Sequence, residues 1–156
     1  MRREYPRVSI EECPLFQGIT ALTLERLKQA VHEKAYPEGS TIFYEGDPAS
    51  ELYLLAAGEV ELSYTLPNDA TVSLPISRVL PGELFAFSAA LGGTSLTAKA
   101  HAAAASDVYT VPADRFAAIC DDDPASGLVL MRRLATIVRT RLCDTRAQLR
   151  WLQNFS

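Results

Sequence analysis

Short apolar segments, each followed by turn-forming residues, recur roughly every 8–12 positions between residues 40 and 112. Examples are the segments 41–44, 52–55, 60–64, 72–76 and 108–111. The stretches between them supply residues that turns require, as in Gly46-Asp47, Ala57-Gly58-Glu59, Pro67-Asn68-Asp69 and Pro81-Gly82-Glu83. Runs with this spacing are typical of antiparallel strands. The central part of the chain is therefore predicted to be an antiparallel sandwich or roll.

Helical patterns flank this region on both sides. Apolar residues recur at helical spacing over 20–31, where Thr20 is a suitable N-cap and residues 37–39 mark a stop. Residues 112–120 predict a short second helix. Asp123-Pro124 then begins a terminal helix, because aspartate at the N-cap and proline at the first helical position are favoured. Capping explains the three acids at 121–123 better than a metal site, since three neighbours on one loop do not converge on one ion.

The terminal helix carries an apolar seam with one polar member. Its a and d positions are Leu128, Met131, Ala135, Val138, Leu142, Thr145, Leu149 and Leu152. A second apolar face, at 130, 134 and 137, covers only the first half of the helix. One face can pack on the strands while the other meets a second helix, so we expect a homodimer through this helix. The alternative is a helix that packs wholly on its own domain.

Two arginines oppose an ordinary parallel pair of such helices. Arg141 and Arg146 occupy g and e positions, where they would face like charges in a parallel dimer. The seam is then short, or the arginines reach an acidic body or an anionic ligand. Whether the pair is parallel or antiparallel stays open.

Composition and charge narrow the class of protein. The 156 residues are 48% hydrophobic with a net charge of -4, which suits one soluble domain with a full core. Residues 127–156 carry a net charge of +5 and the remaining residues -9, so nucleic-acid binding by the acidic body is disfavoured. No segment suits a membrane span or a secretory signal, so we expect a cytoplasmic protein with no membrane partner. The three cysteines fit reduced thiols better than a disulfide or a metal site.

Residues 36–62 and the run Pro81-Gly82-Glu83-Leu84-Phe85 closely resemble the cyclic-nucleotide-binding domain of Crp/Fnr-type regulators. The resemblance covers about residues 13–153 and includes four glycines at family spacing, at 39, 46, 58 and 82. It implies an α+β, mainly β fold: an antiparallel β-roll, jelly-roll-like, with a short N-terminal helix and a long C-terminal dimerisation helix. The roll with its short flanking helices is assigned to residues 1–126 and the dimerisation helix of the same domain to 127–156.

The same resemblance indicates a ligand site that departs from the family's pattern. In the family, a phosphate-binding cassette holds the ribose through a glutamate and the cyclic phosphate through an arginine. The usual Gly-Glu falls here on Ala86-Phe87, and the usual Arg-Ser/Thr-Ala on Leu96-Thr97-Ala98. Residues 85–91 keep helical character, and Lys99 and His101 share strand parity with Thr97. The candidate ligand-binding residues are Gly82, Glu83, Leu84, Phe85, Ala86, Phe87, Ser88, Thr97, Ala98, Lys99, Arg141 and Thr145, the last two by resemblance to the family's helix segment.

Three functions remain open on this basis. The first is a non-enzymatic regulatory domain in signalling or transcription that senses a small-molecule effector, with weak or altered cAMP and cGMP binding. The second is a sensor of haem or another apolar ligand, with His101, His32 or a cysteine as the axial ligand. The third is a ligand-free dimeric interaction module. No recognition helix follows the terminal helix, so DNA binding by this chain alone is not expected unless the chain is the effector half of a longer regulator. Catalytic motifs and metal-ligand patterns are not found in the sequence, so we expect neither catalysis nor a metal.

Overall fold

The computed structural model describes residues 5–154, with only the backbone described at residue 70. Residues 1–4 lie outside this range, and with them part of the segment used to predict that the chain has no secretory signal. Residues 155–156, assigned to the terminal helix, also lie outside it. Over residues 5–154, no helix combines the length and the apolar character that crossing a bilayer needs.

Within residues 5–154, three α-helices and eight strands form the fold. The helices are α1 (Ala21–Ala30), α2 (Ala113–Asp122) and α3 (Pro124–Gln153). The strands are β1 (His32–Tyr36), β2 (Thr41–Phe43), β3 (Glu51–Ala57), β4 (Val60–Leu66), β5 (Asp69–Val79), β6 (Leu84–Ala86), β7 (Lys99–Ala102) and β8 (Ser106–Pro112). Short 3-10 turns lie at Ile10–Glu12, Pro14–Phe16 and Ser88–Leu91.

The strands form two four-stranded antiparallel sheets. One has the order β1-β8-β3-β6 and the other the order β2-β7-β4-β5. One core lies between the sheets and includes Val60, Leu62 and Val108. A second core lies between the first sheet and the helices, where Leu130 and Leu134 of α3 are fully buried. The predicted β-roll with flanking helices is thus confirmed.

The apolar segments named from the sequence locate β2, β3, β4, β5 and β8, whereas β1, β6 and β7 have no counterpart among them. β1, with the sequence HEKAY, lies at a sheet edge with mostly exposed side chains, so it has no apolar run by which to recognise it. It also separates α1 from the expected stop at 37–39, because the helix already ends at Ala30. The expectation of helical character over 85–91 was wrong at its start: residues 84–86 are a buried strand that pairs with β3, and only Ser88–Leu91 turns, as a 3-10 helix.

A tight turn between β3 and β4 depends on glycine. Gly58 has a φ of 97°, and a Cβ built there would lie 2.4 Å from both the Ala105 carbonyl oxygen and the Ser106 hydroxyl. No side chain fits at that distance from backbone, so this glycine allows the β3–β4 turn to lie close to the chain that enters β8.

The amino ends of α1 and α3 meet at one carboxylate. Asp123 caps α3 by accepting from the Ser126 N–H, and it accepts from the hydroxyls of Thr20 at 2.8 Å and Thr23 at 2.7 Å. Thr20 is also the N-cap of α1, as predicted. The hydrogen bonds from Ser126, Thr23 and Thr20 hold the pKa of the Asp123 carboxyl well below its usual range. The start of the long helix is therefore fastened to the N-terminal helix.

Candidate functional site

The segment that corresponds to the cassette begins at a turn with a fixed backbone. The Gly82 N–H donates to the Leu55 carbonyl at 2.8 Å, and the Leu55 N–H donates to the Glu83 carbonyl at 3.0 Å. The Glu83 carboxylate accepts from the Leu80 N–H at 2.7 Å. Gly82 and Glu83 thus attach the turn to β3, and the Glu83 side chain closes the turn on itself.

The residues after this turn enclose a very small cavity. Its volume is about 10 Å³, which leaves room for about one water molecule. Its lining consists of Phe43, Phe85, Ala86, Phe87, Ser88, Leu96, Thr97, Ala98 and Arg141. Most of these side chains are apolar. Polar side-chain groups come only from the hydroxyls of Ser88 and Thr97 and from the guanidinium of Arg141.

Three stacked aromatic rings occupy the interior behind this cavity. The ring centroids of Phe43, Tyr53 and Phe85 lie 5.2–6.0 Å apart, with interplanar angles of 14–25°. Burial raises the pKa of Tyr53 to about 12, so its phenol stays neutral at physiological pH. The stack fills the roll with rigid, largely apolar surface, and the Tyr53 phenol is the one hydrogen-bond donor among its three side chains.

Arg141 reaches the cassette from α3. Its guanidinium lies over the ring of Phe87, 5.3 Å from the centroid. No ion pair among residues 5–154 includes Arg141. Burial lowers the pKa of this guanidinium, against the opposing effects of Tyr64, Asp144 and Glu83. The only cation at the cavity, within the described residues, is therefore held by an aromatic ring rather than by a carboxylate.

The other candidate ligand residues lie outside this cavity. Ala100 and Ala102 of β7 face the interior, so Lys99 and His101 lie on the outer face, and the Lys99 ammonium is 5.7 Å from the centroid of the Tyr44 ring. The Thr145 hydroxyl donates to the Arg141 carbonyl at 2.8 Å, one turn back on α3. Gly82, Glu83 and Leu84 line a different cavity.

That second cavity, here called the α3 groove, lies between α3, the β5–β6 turn and the N-terminal segment. Its volume is about 240 Å³. It is lined by Pro14, Leu15, Ser77, Arg78, Val79, Gly82, Glu83, Leu84, Thr136, Ile137, Thr140, Arg141 and Asp144. Sequence reasoning missed the groove, although one signal was present. Thr136, Thr140 and Asp144 follow each other at four-residue steps beside Ile137, so they place polar groups next to the core-facing side of the helix.

The seam predicted on α3 is largely uncovered in the single chain. Leu128, Leu142 and Leu149 expose 53%, 48% and 55% of their surface, and Met131 exposes 37%. Leu130 and Leu134, on the other side of the helix, are fully buried against the body. Such a row of exposed large apolar side chains is typical of a surface that a partner covers.

No group of three or more His, Cys, Asp or Glu side chains within residues 5–154 is arranged to hold a metal ion.

The sequence model of the cyclic nucleotide-binding domain family matches residues 33–123, more than half of the chain. The chain belongs to this family. Its match to solved structures includes the Thermus thermophilus catabolite activator protein, with a TM-score of 0.73 and 26% identity over 90% of this chain and 63% of that one.

Two curated relatives differ in the length that they share with this cyclic nucleotide-binding domain. A cAMP-dependent protein kinase regulatory subunit from Pyricularia oryzae is 31% identical over 84 residues, which are 54% of this chain and 20% of that protein. Glutaminase 1 from Bradyrhizobium diazoefficiens is 27% identical over 139 residues, which are 89% of this chain and 22% of that protein. The chain thus spans about a fifth of the length of these relatives.

Proposed function

We propose that this cyclic nucleotide-binding domain is a non-enzymatic regulatory module of the Crp/Fnr type, whose altered cassette binds cAMP and cGMP weakly or not at all. One observation carries the proposal: the cassette cavity holds about 10 Å³ and is lined mainly by apolar side chains. The related kinase subunit is named as cAMP-dependent. Cyclic AMP is therefore one of the ligands whose binding this altered cassette is proposed to weaken.

The energetics of a buried phosphate support weak binding. Phe87 and Leu96 occupy the positions at which the family places its glutamate and arginine, and both are apolar. A buried phosphate that lacks a paired cation and donors costs several kcal/mol. Arg141 is the nearest cation, but its guanidinium lies on Phe87, so a nucleotide would have to displace that contact as well as open the cavity.

Calorimetric titration of the full chain with cAMP and cGMP tests this proposal. We expect no saturable heat below about 1 mM nucleotide. The double variant Phe87→Glu with Leu96→Arg restores both charged groups and is expected to gain affinity. Leu91→Arg adds a cation at an exposed position nearby and serves as the matched control, with no gain expected. Micromolar binding of cAMP by the native chain would contradict the proposal.

We further propose that the module is a homodimer through α3, with the seam from Leu128 to Leu152 as the contact. The exposure of Leu128, Leu142 and Leu149 supports this arrangement. Leu142→Glu places a charge in the middle of the seam and should halve the mass measured by light scattering. Leu22→Glu changes a leucine on α1 that is 71% exposed, and should leave the mass unchanged. An unchanged mass for Leu142→Glu would remove the seam as the dimer contact.

A ligand-free interaction module is the second candidate, and the small volume of the cassette cavity favours it. Thermal stabilisation by a metabolite separates the two functions, because only the sensor binds one in its native state. A haem sensor receives no such support, since His101 lies on the outer face of β7 and the cavity is far smaller than a haem.

We assign the module to the cytoplasm and expect neither catalysis nor DNA binding by this chain alone. The glutaminase likeness fits a regulatory segment, because it spans only 22% of that protein.

A further inference from the structure

The α3 groove has the size and lining of a small-molecule site, and it shares Arg141 with the cassette cavity. It holds about 240 Å³, somewhat less than the roughly 300–1,000 Å³ of sites for drug-sized ligands. Leu15, Val79 and Ile137 form an apolar floor, and Thr136 and Thr140 line the rim. Both threonine hydroxyls donate to carbonyls four residues back, at 3.1 Å, so their oxygens remain free to accept from a ligand.

One turn of α3 gives this groove two opposite charges that do not pair with each other. Arg141 and Asp144 are three residues apart, which places them on the same side of the helix. Neither belongs to any ion pair within residues 5–154. The other charges at the groove are already engaged: Arg78 pairs with Glu59 at 2.8 Å, and Glu83 accepts from the Leu80 N–H.

A ligand that meets both charges needs one group of each sign close together. A simple anion would be attracted by Arg141 but repelled by Asp144 and Glu83, and a simple amine would meet the reverse. A zwitterion satisfies both, and an apolar tail would cover the floor at Leu15 and Ile137. The volume of about 240 Å³ accommodates a small metabolite of this kind.

We propose that the α3 groove binds a small α-amino acid with an aliphatic side chain, its carboxylate on Arg141 and its ammonium on Asp144. Guanidinium and carboxylate form paired, charge-assisted hydrogen bonds, which fix the orientation of the ligand. Thr136, Thr140 and Asp144 lie on the side of α3 away from the a and d positions, whereas Arg141, at a g position, borders the seam. The proposed function does not require this site, although the groove and the cassette cavity share Arg141.

Calorimetry on the full native chain tests the site with L-leucine and L-valine as probes. L-leucine is compared with 4-methylpentanoate, which lacks the ammonium, and with 3-methylbutylamine, which lacks the carboxylate. We expect saturable binding of at least one of the two amino acids, and at least about tenfold weaker binding of both leucine analogues, because each loses a charge-assisted contact.

Two variants and a control locate the binding. Arg141→Gln should weaken amino-acid binding about tenfold or more, and Asp144→Asn should narrow the gap between leucine and 4-methylpentanoate. Arg139→Gln removes an exposed arginine from outside the groove and should change nothing. Circular dichroism checks that each variant is folded. No saturable binding of either amino acid up to about 10 mM, or equal affinity in folded Arg141→Gln, would overturn the proposal, and neither result bears on the nucleotide titrations.

Discussion

A buried hydroxyl on β8 gives a sharp test of how this core is stabilised. Thr110 is fully buried, and its side-chain oxygen is the only buried side-chain polar atom without a hydrogen-bond partner in the described part of the chain. A buried hydroxyl without a partner costs about 1–3 kcal/mol. Thr110→Val keeps the side-chain shape and removes the hydroxyl, so it should stabilise the fold by about 1–2 kcal/mol and raise Tm by roughly 2–8 °C.

The matched control on the same strand has the opposite expectation. Ser106 is equally buried, but its hydroxyl donates to the Ala104 carbonyl at 2.8 Å and accepts from the Glu59 N–H at 3.2 Å. Ser106→Ala leaves those groups without a partner and should destabilise by about 1–3 kcal/mol. Urea unfolding followed by circular dichroism measures both changes, with an unchanged m-value as the condition for comparing them. A Thr110→Val variant less stable than the native chain would refute the reasoning.

Three further predictions concern other parts of the fold. Gly58→Ala should lower the free energy of unfolding by at least about 1–2 kcal/mol in urea titrations, because Gly58 has a positive φ and a Cβ there would meet backbone. A neutral result would contradict the close approach of the Gly58 turn to Ala105 and Ser106. The depressed pKa of Asp123 means that its contribution to stability is present above about pH 4 and is lost as pH falls below that value. Asp123→Asn should therefore reduce the decrease of the urea midpoint below about pH 4. An unchanged decrease in this variant would exclude Asp123 as its source. Iodoacetamide should label exposed Cys143 well before Cys13, because Cys13 is fully buried and burial raises the pKa of its thiol to about 11; mass spectrometry of the labelled peptides checks the order, and faster labelling of Cys13 would contradict its burial.

Local chemistry explains which parts of the fold the sequence predicted. The caps at Thr20 and Asp123 act through their own neighbours, so residue type and spacing were enough to place the starts of α1 and α3. The sequence pattern did not predict β1, because an edge strand needs no apolar alternation when both of its faces are largely exposed. The expected helical character over 85–91 fails at β6 because three apolar residues in a row fit either structure, and only the pairing with β3 decides between them.

The candidate site was predicted less completely, for a related reason. The sequence identifies the apolar residues at 86–87 and 96, but it cannot give the volume that they leave. That volume depends on Phe43 and Phe85, which come from different strands and stack across the roll. The position of the Arg141 guanidinium over Phe87 likewise depends on how α3 packs on the body. The α3 groove forms from segments more than a hundred residues apart, at Leu15 and Ile137, and no local pattern encodes that contact.

The way α3 is anchored gives this helix the mechanics of a lever. Its 30 residues extend about 45 Å. Asp123 fixes one end and the buried side chains of Leu130 and Leu134 hold the portion next to it, whereas large apolar side chains beyond Leu142 remain exposed. A tilt of about 5° at the fixed end moves the far end by about 4 Å, roughly three-quarters of one helical turn. A small movement of the anchored part of α3 is therefore magnified several-fold at Leu149.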